Sequence, residues 1–152
     1  MRYDTNTYSK STSGKTTIIS FDEIDNWQVD FDFSINNVGH CRWGIYPSSN
    51  GNPQLTINTE NTGSMKLIYG TSCSTSDSAE ASVVIGQGGY LIANHWYHAT
   101  IIKQNGVATV KLDDTQIWTG DHNCTTNVRY IHMSKFNTNN VGYMKNIKIK
   151  PL

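Results

Sequence analysis

The chain has 152 residues and a mass of 17.0 kDa, room for one domain with a full core. Twelve basic residues balance twelve acidic ones and only 16% of positions are charged, which argues against a nucleic-acid partner and against a polybasic membrane contact. No apolar run approaches the length that spans a bilayer, so membrane insertion is not expected either. Hydrophobic residues make up 37% of the chain, fewer than in an average domain, and Asn, Thr, Ser and Gly fill much of the remainder. Such a surface is polar without being charged. It suits hydroxyl-rich ligands, and it suits any turn-rich sheet protein equally well.

Residues 1–15 are polar with little periodicity and read as a lead-in arm or linker; residues 16–152 read as one domain. The N-terminal stretch lacks the apolar segment of a signal peptide. The expectation is therefore either a domain of a larger exported protein or a chain that leaves its cell by another route, such as inside a virion. A first strand is predicted over 16–21, followed by an acidic turn at Asp22-Glu23-Ile24-Asp25-Asn26. From Trp27 the chain alternates: Val29, Phe31, Phe33 and Ile35 are apolar, Gln28, Asp30, Asp32 and Ser34 polar. Side chains on a strand point to opposite faces in turn, so one face of this strand is core and the other wet. Further strands are predicted at 41–46, 54–58, 64–69 and 81–85, with turns at 47–53 and at Asn61-Thr62-Gly63, a loop over 70–78, and 86–89 ending the last of them.

The strongest local signal lies at 96–114. Two alternating runs flank Gln104-Asn105-Gly106, and an Asn-Gly pair accepts the positive φ that tight hairpins need. Asp113-Asp114-Thr115 is a second turn candidate. A short strand at 116–118, a polar loop at 120–127, and strands at 128–136 and 143–150 complete the set. About ten short strands without a useful helix or a fixed repeat describe an all-β, antiparallel two-sheet sandwich or jelly roll.

The run Trp96-Tyr97-His98-Ala99-Thr100-Ile101-Ile102-Lys103, a glycine turn and Val110-Lys111-Leu112-Asp113 together resemble the central hairpin of the concanavalin A-like and laminin-G-like jelly rolls. The closing run from Gly142 to Ile149 is similar to the last strand of that superfamily, and the strand from Trp27 to Ile35 to the early strand that pairs beside it. The resemblance implies an antiparallel jelly-roll sandwich. It also implies a choice among carbohydrate-binding modules, lectins, adhesion domains and a minority of glycoside hydrolases.

For the hydrolase, Glu23-Ile24-Asp25-Asn26-Trp27-Gln28 is similar to the E-x-D-x-x-E signature of laminarinase-like β-glucanases, with Gln28 where the acid/base glutamate would stand. Retaining hydrolysis needs two carboxyls, and an amide cannot protonate a leaving group. For a metal, Asp22, Glu23 and Asp25 form the candidate set for a structural calcium ion, with Asp113 and Asp114 a second acidic turn; solvated turn acids are the plainer account. No other cofactor is expected. His40, His95, His98, His122 and His132 have no zinc spacing, and Cys41, Cys73 and Cys124 leave open one disulfide or three buried thiols. Asn123-Cys124-Thr125 fits a glycosylation sequon, which has meaning only on a secreted eukaryotic chain.

For binding, a sugar presents an apolar C–H face and a rim of hydroxyls, so its site combines a flat aromatic with fixed polar groups. The alternation assigns Gln28, Asp30, Asp32, His98 and Lys111 to the face opposite the core, with Arg42, Tyr46, Tyr130 and His132 joining them from the other strands. Trp27, Trp43 and Trp96 are expected in the core, Trp118 exposed between a turn and a polar loop, and Tyr90 a similar loop aromatic. The sequence therefore reads as a non-catalytic jelly-roll module that binds a glycan or cell-surface polysaccharide, outside the cell, on a cell or on a virion. The alternatives are an assembly domain contacting other protein chains and a glucanase-like enzyme.

Overall fold

The computed structural model describes residues 2–37, 39, 41–46, 54–59, 65–70, 78–82, 92–122, 127–135 and 140–152, with backbone alone at 2, 3, 65–70 and 78–82. These residues form thirteen strands and no helix. In chain order they are β1 (Arg2–Asp4), β2 (Tyr8–Lys10), β3 (Gly14–Ile24), β4 (Trp27–Ile35), β5 (Cys41–Tyr46), β6 (Leu55–Thr59) and β7 (Met65–Gly70). Then follow β8 (Ser78–Ser82), β9 (Tyr97–Gln104), β10 (Val107–Leu112), β11 (Thr115–Asp121), β12 (Val128–Lys135) and β13 (Gly142–Pro151).

They pair antiparallel into two sheets. One runs β1-β13-β4-β9-β10-β11, with β2 also on β13, and the other runs β3-β12-β5-β6-β7-β8. The result is a jelly-roll sandwich, and β4 lies beside the C-terminal strand as expected. The first fifteen residues are less of a loose arm than their composition suggests. β1 and β2 both hydrogen-bond to β13, pairing Tyr3 with Lys148 and Ser9 with Tyr143. The first predicted strand also runs on through Asp22 and Glu23 to Ile24, leaving only Asp25 and Asn26 as the bend into β4.

The core is the sum of the inward parities. Trp27, Phe31 and Phe33 of β4 and Ala99 and Ile101 of β9 face Trp43, Ile45, Leu55, Ile57, Ile131 and Met133 of the other sheet, all fully buried. Phe33 sits at the centre, its ring 4.8 Å from Trp43 and 5.5 Å from Tyr97. Burial of one such ring contributes about 2–3 kcal/mol. The indole N–H of Trp43 donates across the sandwich to the carbonyl of Tyr143 at 3.1 Å. Cys41 is a free thiol in the same layer, where burial pushes its pKa up to about 12.

Both expected tight turns form. Gln104 pairs with Val107 around Asn105 (φ 51°) and Gly106 (φ 79°), the double positive φ of a two-residue hairpin. Leu112 pairs with Thr115 around Asp113 (φ 47°) and Asp114 (φ 66°), the same turn closed without a glycine. His40, Tyr90, Cys73, the sequon at 123–125, the turns at 47–53 and 61–63 and the loop at 86–89 lie outside the described residues, as do 71–77 of the predicted 70–78 loop and 83–85 of the predicted 81–85 strand.

Candidate functional site

The polar residues that alternation sends away from the core do not share one face. Gln28, Asp30, Asp32, His98 and Lys111 lie on the outer side of the seven-stranded sheet, whereas Arg42, Tyr46, Tyr130 and His132 belong to β5 and β12 of the other sheet. The single platform expected from sequence is two platforms, one on each side of the sandwich.

Register builds the first of them row by row. Tyr143 pairs with Ser34; Lys145 with Asp32 and Asp32 with His98; Lys148 with Asp30, Asp30 with Thr100 and Thr100 with Lys111. At the edge of this face stands Trp96, 36% exposed, its ring centroid 6.2 Å from that of Tyr143. The Lys145 ammonium lies 4.0 Å over the Trp96 ring. Asp32 accepts from two directions: His98 Nδ1 is 2.7 Å from its Oδ1, and Asn146 Nδ2 donates to its Oδ2 at 2.6 Å. The bond to Asp32 at Nδ1 leaves the His98 Nε2 edge for an incoming hydroxyl, and the side chain of His98 is 42% exposed. Asp30 accepts from Thr100 Oγ1 at 2.7 Å and from Gln28 Nε2 at 2.9 Å. Asp30 and Asp32 are each fixed by a neighbour on an adjacent strand, Thr100 for one and His98 and Asn146 for the other.

Asn146 reaches Asp32 because β13 carries a bulge. The register slips between Lys145 and Lys148, and Asn146 adopts φ 54°. An extra residue in a strand re-aims a side chain, and Asn tolerates the left-handed region better than most. The slip was legible in the sequence. Met144 and Ile147, both fully buried, are three apart instead of two.

Trp96 is a correction. It was expected in the core on the grounds that aromatics fill sandwich interiors, yet it shares the parity of His98, which faces out. Trp118 is corrected the other way. It is half-buried and packs against the core, with its ring over Gly120, where an added Cβ would lie 2.6 Å from the indole.

The second platform is closed. Tyr46 is 2% exposed and His132 1%, and Thr56 and Asn58 beside them are equally buried. The His132 ring meets Tyr46 edge-on at 4.5 Å and stacks on Tyr130 at 5.5 Å. Burial raises the Tyr46 phenol, which hydrogen-bonds to Ser134 and Arg42. Tyr46 and His132 offer a ligand little surface, while Arg42 and Tyr130 are half-buried.

A third polar group sits at the end of the sandwich near the β3–β4 and β9–β10 turns. His122 is fully buried, its Nε2 3.3 Å from Gln54 Oε1 and its backbone N–H donating to Gly106 at 2.7 Å. Burial, with the Lys103 charge adding to it, lowers its pKa to about 4. Lys103 points inward from β9, 4% exposed, and pairs with the carboxylate of Asp25 and, at 3.1 Å, its carbonyl. Glu23 pairs with Arg129 at 3.2 Å. The acids proposed for calcium are therefore spread over a strand and a turn, and two of them, Glu23 and Asp25, pair with cations. Among the described residues no group of three His, Cys, Asp or Glu side chains comes together to hold a metal.

The glucanase-like motif is also dispersed. Glu23 lies on β3 of one sheet and Gln28 on β4 of the other, so the two positions do not share one face of one strand. Gln28 instead donates to Asp30. The paired arrangement that retaining hydrolysis requires is absent at these residues.

Fold and surface together define a two-sheet β-sandwich with one open polar face and an aromatic at its margin. No protein-family model and no curated protein sequence matches the chain. Its fold is similar to that of the carbohydrate-binding module CBM66 from Bacillus subtilis, with a TM-score of 0.66 at 13% identity over 97% of this chain and 94% of that module. It is also similar to part of the botulinum neurotoxin serotype D ligand-binding domain, solved in complex with N-acetylneuraminic acid, with a TM-score of 0.60 at 15% identity over 97% of this chain and 39% of that one. A sialidase matches with a TM-score of 0.63 at 12% identity, this chain spanning only 14% of its length.

Proposed function

We propose that this protein is a non-catalytic glycan-binding module of the concanavalin A-like superfamily, acting on a cell or particle surface. The observation that carries the reading is the exposed Trp96 beside Tyr143, one row from the fixed Asp32–His98–Asn146 network on an open sheet face. A ring at that height supports the C–H face of a sugar, and the network beside it presents the His98 Nε2 edge and an Asp32 oxygen to hydroxyls. The similarity to a carbohydrate-binding module over nearly its whole length supports the same reading. The dispersal of Glu23 and Gln28 onto different sheets supports a role without hydrolysis.

The test is a glycan array followed by calorimetry on the hits, with Trp96→Ala and Asp32→Asn beside the wild type. Binding that is lost in Trp96→Ala and weakened in Asp32→Asn is the expected result. Silence across plant, microbial and host glycans would sink it and favour an assembly domain.

A further inference from the structure

The charges on the open face are sorted in an unusual way. Asp30 and Asp32 on this face are held without a lysine: Asp30 by Thr100 and Gln28, Asp32 by Asn146 and by the His98 ring. Its lysines are not paired with them. Among the described residues no carboxylate lies within ion-pairing distance of Lys111, Lys145 or Lys148, although Lys145 and Lys148 stand directly opposite Asp32 and Asp30 in register. The bulge in β13 is the cause on one side, because it brings the Asn146 amide onto Asp32 in place of a lysine. Lys145 turns instead to Trp96 and covers part of the ring that would carry a sugar.

Resting on the glycan-binding reading above, we infer that this face selects glycans bearing an anionic group, a carboxylate or a sulfate on the sugar ring. A neutral sugar that stacks on Trp96 must displace the Lys145 ammonium and offers it only uncharged hydroxyl oxygens in return. An anionic sugar draws the same ammonium into a charge-assisted hydrogen bond while its ring takes the vacated aromatic face. Lys148 follows along β13, and Lys111 lies three strands across, roughly 14 Å at the usual strand spacing. Together they give a longer chain of charged sugars further contacts.

The experiment compares matched pairs by calorimetry: a galacturonate trisaccharide against its full methyl ester, and a sulfated against a desulfated carrageenan tetrasaccharide, whose sugars carry no carboxylate. Each is measured at low and high salt with wild type, Lys145→Gln, and Lys15→Gln as the control that removes one charge from the other sheet. The expected result is an affinity about tenfold higher for at least one charged member over its neutral partner, shrinking with salt, lost in Lys145→Gln and kept in Lys15→Gln. The pairs also separate the carboxylate from the sulfate. Equal affinity for charged and neutral partners, or a preference that survives in Lys145→Gln, overturns the inference and leaves the glycan-binding reading standing. No binding to any of the four, with an array equally silent, overturns both.

Discussion

The two outer faces of this sandwich arise from one rule and end in opposite states. On both, a strand with apolar residues at every second position sends polar ones outward. On the seven-stranded sheet those residues stay in reach of water, with the side chain of Asp32 20% and that of His98 42% exposed. On the six-stranded sheet Tyr46 and His132 are as buried as the core itself. The contrast shows that facing away from the core does not make a site. The open face holds its groups in place while leaving edges for a ligand, and on the closed face Tyr46 and His132 present almost no surface.

Substitutions break the comparison in opposite directions. Tyr46→Ala removes a buried ring from the closed face and should lower stability by about 3 kcal/mol in urea melts, with glycan affinity unchanged. A loss of affinity at full stability would place the site on the wrong sheet. Between the two sheets, His122 supplies a pH dependence of similar size. Its folded pKa of about 4 lies below the ordinary value of 6.5. The unfolded chain therefore binds the proton first, and stability falls as pH drops from about 6.5 towards 4. The contribution is about 3 kcal/mol, and His122→Gln should flatten it in melts taken across that window.

On the open face the expectation reverses. Trp96→Ala should weaken glycan binding by about 2 kcal/mol, roughly thirtyfold, and leave the melting temperature nearly untouched. The smallest effect belongs to the turn that frames this face. Asp114 holds φ 66° without being a glycine, so Asp114→Gly should raise stability by about 0.5–1 kcal/mol. Asp113 is the poorer choice, because its carboxylate accepts the backbone N–H of His98 at 2.9 Å.

Most of the strands were legible in the sequence, and so was part of the candidate site. Asp30, Asp32, His98 and Lys111 followed from parity alone. Trp96 would have followed too, had its parity with His98 outweighed the general tendency of tryptophan to be buried. Asn146 was readable in the three-residue step from Met144 to Ile147. Arg42, Tyr46, Tyr130 and His132 were assigned the correct parity but grouped with residues from which the whole sandwich separates them.

What the sequence by itself determined is local: which side chains share a face, and where Asn105-Gly106 and Asp113-Asp114 reverse the chain. Those follow from the pleat and from backbone sterics, which act between near neighbours. Only the tertiary structure decided that the bend at Asp25 and Asn26 carries the chain from one sheet to the other, scattering the glucanase-like motif. It also decided which polar face stays open. Sheet membership and burial depend on residues far apart along the chain, and a period of two carries no information about them.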